Sequence, residues 1–132
     1  MSQEDLVVVR RAIDAFGRGD AEAFCELTTP DVEWKVGLAA VEGEVFRGHD
    51  GVRTYFGRLR GAWSEFHLLG EEYRDLGDAV LVLGRLRGFG RGGEVPVESP
   101  VGAVWELCEG KIWRLRAYLT HAEAIAAASG EG

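Results

Sequence analysis

The stretch Pro100–Leu119, PVGAVWELCEGKIWRLRAYL, constrains the fold of this chain more than any other. It holds two apolar-rich runs separated by Glu109-Gly110. A tight primed turn needs positive φ, which glycine adopts at little cost, so the stretch reads as a long β-hairpin. Val101, Ala103, Trp105 and Leu107 alternate along its first arm. On the second arm, strict alternation puts Ile112, Arg114, Arg116 and Tyr118 on one face. Trp113, Leu115, Ala117 and Leu119 then share the other. The hairpin points to a fold and a cavity, and names no reaction.

Upstream, Ser2 and Asp5 form an S-x-x-D cap, and Leu6, Val9, Ile13 and Phe16 follow at spacings of three and four. That is one helical stripe, ended by Gly17 and Gly19. Asp20 caps a second short helix with Phe24 and Leu27 inward, and Thr29-Pro30 stops it, because the residue before proline leaves the α region. Val32, Trp34 and Val36 alternate with charged residues, which predicts a strand. Residues 37–48 carry little pattern and read as a loop. His49 or Asp50 caps a third helix, with Val52, Phe56, Leu59 and Trp63 on its apolar face.

From Phe66 the period changes to two. Phe66–Leu76 is a weak strand, Gly77-Asp78 a turn, and Ala79–Phe89 a strong strand. Pro96 and Pro100 make the entry to the central hairpin an edge or a bulge. Thr120 and Glu123 form a capping box that opens an alanine-rich final helix. With no repeat and no linker, residues 1–132 read as one domain. The element order is α+β: helices cover one face of a curved antiparallel sheet, leaving a cone with an open mouth, where small-molecule sites are common.

Composition narrows the partners. The net charge of −7 over 132 residues argues against nucleic acid or an anionic membrane surface, both negative themselves. No apolar run approaches the roughly 20 residues of a membrane span. The N-terminus has no basic region ahead of its apolar run, unlike a secretory signal. Two unpatterned cysteines, Cys25 and Cys108, suggest free thiols in a reducing, cytoplasmic setting. His49, His67 and His121 show no metal-ligand spacing, so neither metal nor cofactor is expected. The glycines at 88–93 sit at a hairpin tip with no helix after them, which excludes a dinucleotide fingerprint.

The motifs GRGDAEAF at 17–24, TPDVEW at 29–34, GHDGVRTYF at 48–56 and VWELCEGKIWRLRAYLTHAEAI at 104–125 resemble the nuclear transport factor two-like superfamily. Within it the chain is similar to the SnoaL-like group related to polyketide cyclases and ketosteroid isomerases. The resemblance implies a cystatin-like cone of sheet packed by N-terminal helices. It carries no single function, because this fold hosts isomerases, cyclases, hydrolases, dehydratases and plain binders. The isomerases resembled here use a tyrosine on the first helix, and alignment on GRGD puts Ala12 there. Their base lies toward the end of the first strand, near Lys35 and Val36, with Glu33 a little earlier. The cyclases resembled here place a histidine near Ala103 and an aspartate near Thr120.

The resemblance implies that Arg116 and Tyr118 reach the cavity mouth and hold a ligand oxygen, with Trp34 and Tyr55 also lining the cavity. A buried arginine needs a carboxylate, for which Glu98 and Glu33 are the candidates. The plainer reading makes Arg114 and Arg116 surface groups paired across strands with Glu106 or Glu98. Glu98 and Glu33 are the candidate bases, and His121 is the best single titrating candidate. Two function classes stay open. One is a pocket protein or enzyme acting on a small apolar organic ligand that bears a carbonyl or carboxylate. The other is a non-catalytic dimeric interaction module. A homodimer is expected in either case, since four tryptophans and many strand valines exceed what one cone hides, and one sheet face is left open.

Loss of an oxyanion donor removes about 3–4 kcal/mol of transition-state stabilisation. With Ala12 in that place, an absorbance assay on a 5-ene-3-ketosteroid is expected to show no isomerase turnover. Activity within about tenfold of an authentic isomerase, some 1.4 kcal/mol in barrier, would contradict this.

Overall fold

The β-hairpin at the centre of the chain forms as its sequence dictates. Strand β5 (Val97–Cys108) returns as β6 (Lys111–Tyr118) through Glu109 at φ 53° and Gly110 at φ 81°, a two-residue turn with both φ positive. The computed structural model describes residues 3–36, 44–90, 92–93 and 95–131.

Ahead of the hairpin come α1 (Gln3–Arg18), α2 (Ala21–Glu26), β1 (Thr28–Val36), β2 (Glu44–Arg47), α3 (Gly48–Ala62), β3 (Trp63–Asp75) and β4 (Ala79–Gly90). After it come α4 (His121–Ala126) and a wider π turn over Ala127–Glu131. The six strands form one sheet in the order β2-β1-β6-β5-β4-β3. Strand β1 lies parallel to β6, and the other neighbours run antiparallel. The α+β architecture with a curved sheet is as expected; the parallel β1–β6 junction is new.

Several local expectations meet their physical causes here. Val9, Ile13 and Phe16 are buried on α1, joined by Ala12 and Ala15. Asp20 accepts a hydrogen bond from the Ala23 N–H at 3.1 Å and so starts α2. Thr120 does the same for Glu123 at 3.1 Å and starts α4. Pro100 lies where β5 pairs with β4 alone, because β6 joins only from Gly102 onward. There β5 is an edge, the setting in which a strand tolerates proline.

Other expectations are corrected. Residues 44–47, read as loop, form β2 against β1, whereas residues 37–43 lie outside the described set. The Ser2 cap lies outside it too. Arg47, not His49 or Asp50, is the N-cap of α3, and makes no side-chain cap bond. Trp63 opens β3 rather than closing the helix.

Strict alternation also fails once on β6. Glu106 pairs with Arg114 but Leu107 with Ile112, so β6 carries one extra residue, Trp113. The irregularity returns Ile112 to the buried side with Leu115 and leaves Trp113 39% exposed.

The sheet separates two clusters. On its concave side, α1, α2 and α3 pack a set of rings, with Phe24 stacked on Trp34 at 4.9 Å and Phe16 edge-on to Phe66 at 4.9 Å. On its convex side, α4 buries Leu81, Leu83 and Val104 under Ala124 and Ala127. The convex face is thus partly covered by the chain's own terminal helix, which removes part of the open surface on which the homodimer expectation rested. No helix among the described residues is long and apolar enough to cross a membrane.

The α4 contact is close because β5 has glycine beneath it. A Cβ on Gly102 would sit 2.5 Å from the Ala124 Cβ. Gly102→Ala is expected to lower the unfolding free energy by about 1–3 kcal/mol, the usual cost of overpacking. Adding Ala124→Gly should return more than additivity allows in a urea double-mutant cycle.

Candidate functional site

Side chains that alternate inward on five adjacent strands, β1, β6, β5, β4 and β3, meet the helices at a cavity of about 70 Å³. Its volume comes from small residues on the sheet. Ala103 and Ala117 are direct cross-strand partners on β5 and β6, and Gly84 sits on β4 beside them. Around this gap stand large rings: Phe16 from α1, Trp34 from β1, Tyr55 from α3 and Trp105 from β5. Trp34 meets Tyr55 edge-on at 4.8 Å, which fixes both rings.

The remaining lining is aliphatic, from Leu68 to Leu115. No carboxylate, imidazole, thiol or cationic side chain lines the cavity among the described residues. The lining residues that carry a polar side-chain atom are Tyr55, Trp34 and Trp105. Trp105 is 2% exposed, and its Nε1 is fully covered with no acceptor among the described residues.

Of the residues singled out from sequence, Trp34 and Tyr55 line this cavity. Arg116 and Tyr118 do not, and that expectation is corrected. They project from the opposite face of β6, because Leu115 and Ala117 take the inward positions. Arg116 meets Glu106 at 3.2 Å, and Arg114 meets the same carboxylate at 2.7 Å. The carboxylate partner is therefore Glu106 of the neighbouring strand, not Glu98 or Glu33. The hydrogen bond to Glu106 raises the Arg114 pKa, with burial opposing it. Tyr118 packs instead against the cluster under α4.

The catalytic candidates are dispersed. Glu33 pairs with Arg47 across β1 and β2. Glu98 is exposed and pairs with Arg85 at 3.4 Å and Arg87 at 3.2 Å. His121 Nε2 lies 2.9 Å from the Gly84 carbonyl, which ties the start of α4 to the sheet. None of the three lines the cavity. Cys25 is buried, and burial pushes its thiol pKa up, opposite to a nucleophile's need. No cluster of three His, Cys, Asp or Glu side chains suited to a metal occurs among the described residues.

Sequence reasoning missed Ala103, Gly84 and Trp105 as cavity residues. The signal was present in the second arm of the hairpin. One face there is Leu115 and Ala117, the other Arg114 and Arg116. The apolar face belongs inward, and the arginines, which find a carboxylate outside, belong on the other.

Residues 9–115 match the family model described as SnoaL-like domain. Among solved structures, a nuclear transport factor two-like protein of unknown function from Burkholderia pseudomallei is similar, at 25% identity and TM-score 0.79, over 95% of this chain and 96% of that one. A provisionally assigned SnoaL-like polyketide cyclase from Jannaschia is similar at 18% identity and TM-score 0.77, over 98% of this chain and 96% of that one. So is a hypothetical protein with a ketosteroid isomerase-like fold from Catenulispora acidiphila, in complex with trimethylamine, at 18% identity and TM-score 0.77, over 95% and 93%. No curated protein matches the chain.

Glu106 is 17% exposed in its side chain and serves two guanidinium groups at once. Glu106→Ala leaves both without their carboxylate, and is expected to lower the unfolding free energy by about 1–3 kcal/mol in urea.

Proposed function

The chain belongs to the SnoaL-like domain family, and from that premise we propose that it binds a compact, largely apolar small molecule in the cavity between α1, α3 and the sheet. The observation that carries this reading is the lining: aromatic and aliphatic throughout, around small residues on the sheet. Acid–base turnover is not supported by the same geometry. At the position where the resembled cyclases carry histidine, Ala103 presents a methyl group to the cavity. At the position of their aspartate, Thr120 is engaged in capping α4.

Size sets the ligand class. Drug-sized ligands occupy clefts of roughly 300–1,000 Å³, against about 70 Å³ here. A ligand of a few carbons burying about 200 Å² gains on the order of 5 kcal/mol, from which the cost of association is subtracted. Affinity is then modest, in the high-micromolar to millimolar range.

A second reading is a methylated ammonium ion. Four rings surround the space, and aromatic cages hold such cations by their faces. The Catenulispora relative with trimethylamine supports it. The lack of a lining carboxylate among the described residues weighs against it, since a buried cation wants a counter-charge.

The test is to fill the space. Ala103→Leu and Ala117→Val are expected to keep or raise the melting temperature and to abolish the shift given by apolar ligands of a few carbons. Ligand stabilisation follows RT ln(1 + [L]/Kd), about 1.4 kcal/mol at tenfold excess over Kd. A shift that survives in both folded variants would place binding elsewhere.

A further inference from the structure

Three successive cross-strand pairs join β4 to β5 beside the cavity: Val82 with Ala103, Leu83 with Gly102, and Gly84 with Val101. The first and third pairs line the cavity. The middle pair faces the other way, toward α4. Leu83 is buried there with Ala124, and a Cβ on Gly102 would meet the Ala124 Cβ at 2.5 Å. A single layer of backbone thus separates the cavity from α4, and both rest on the same stretch of β4 and β5.

Helix α4 also reaches a cavity residue directly. His121, its first residue, places Nε2 2.9 Å from the Gly84 carbonyl oxygen. A carbonyl oxygen only accepts, so Nε2 carries the proton and donates. At Gly84 the sheet departs from its regular ladder. Gly84 pairs with Gly70 but Leu83 with Glu72, so β3 carries Glu71 as an extra residue there. The β3 backbone comes so near that a Cβ on Gly84 would collide with the Leu69 carbonyl oxygen. Only glycine fits, and glycine restricts its own backbone least. The orientation of this peptide in the cavity wall is then set by the groups that hold it, and His121 is one of them.

We infer that His121 is a positioning residue for the cavity: by donating to the Gly84 carbonyl it fixes the irregular stretch of β4 that forms one wall, and so couples the docking of α4 to ligand affinity. The inference rests on the small-molecule reading of the cavity and adds its control from the opposite face of the sheet. His121 itself does not line the cavity. Its effect passes through Gly84, which does. A wall held in place is preorganised for a ligand, and without the bond part of the binding free energy goes into ordering it. Coupling of this kind is reciprocal, so a ligand that favours the held wall also favours a docked α4.

Cyclopentane, an apolar probe with no polar group, is titrated against the folded protein by NMR of the Ala103 and Ala117 methyl groups. His121→Ala is expected to weaken its binding about threefold, within the range by which residues outside a site modulate it. His121→Gln, whose side-chain amide donates from nearly the same place, is expected to restore most of that loss. A residue that only stabilised the fold would lower the unfolding free energy and leave the dissociation constant of the folded protein unchanged. In the unaltered protein, cyclopentane is expected to move the His121 Nε2 resonance and to leave that of His67 in place. This measurement stands if a variant does not fold. Equal affinity in the unaltered protein and His121→Ala, or an unmoved His121 resonance, overturns the coupling and leaves the cavity reading intact. Affinity in His121→Gln as low as in His121→Ala overturns the hydrogen bond as its carrier. No binding of cyclopentane to the unaltered protein overturns the cavity reading and this inference together.

Discussion

Everything about the cavity depends on the register of β5 against β6, and that register is set by two residues in the left-handed region, Glu109 and Gly110. The turn joins Cys108 to Lys111 and, through the bulge at Trp113, brings Ala103 opposite Ala117 and Trp105 opposite Leu115. A slip of one residue on β6 would turn Arg114 and Arg116 inward and Leu115 and Ala117 outward. Two guanidinium groups would then enter the aromatic core without Glu106. That alternative is so unfavourable that hairpin register and cavity polarity are one constraint.

The hairpin, the α1 stripe and the caps at Asp20 and Thr120 were legible because each is a local pattern with a local cause. Positive φ calls for glycine, and a free N–H calls for a short oxygen side chain. The bulge was not legible, since nothing in the run KIWRLRAY marks Trp113 as an extra residue until β5 is laid beside it. Strand β2 was missed for the same kind of reason. EVFR becomes a strand by pairing with β1, and four residues carry too little period to announce it.

The candidate site was half legible. Trp34 and Tyr55 were found because an aromatic on an inward-facing position of this fold reaches the cavity. Arg116 and Tyr118 were misplaced because the family resemblance, not hydrophobicity, was used to choose the face of β6. The outer face accepts the arginines for a reason visible only in three dimensions. Glu106 of the adjacent strand sits between them, and one carboxylate satisfies two guanidinium groups. Once that pairing is made, the charged residues of β6 are structural, and the cavity is left to rings and methyl groups.

A void of this size carries a cost. Lining atoms that face unfilled space forgo packing contacts, so the fold is weaker than a filled one would be. Leucine or valine at Ala103 or Ala117 would offset that, and both residue types are common elsewhere on these strands. The chain instead places its smallest side chains where its largest rings converge. Packing alone would not favour that choice, which makes sense if a bound molecule completes the core. Such a molecule would bury its carbons against Trp34 and Tyr55. Stability and recognition in this fold are then the same set of contacts, divided between chain and ligand.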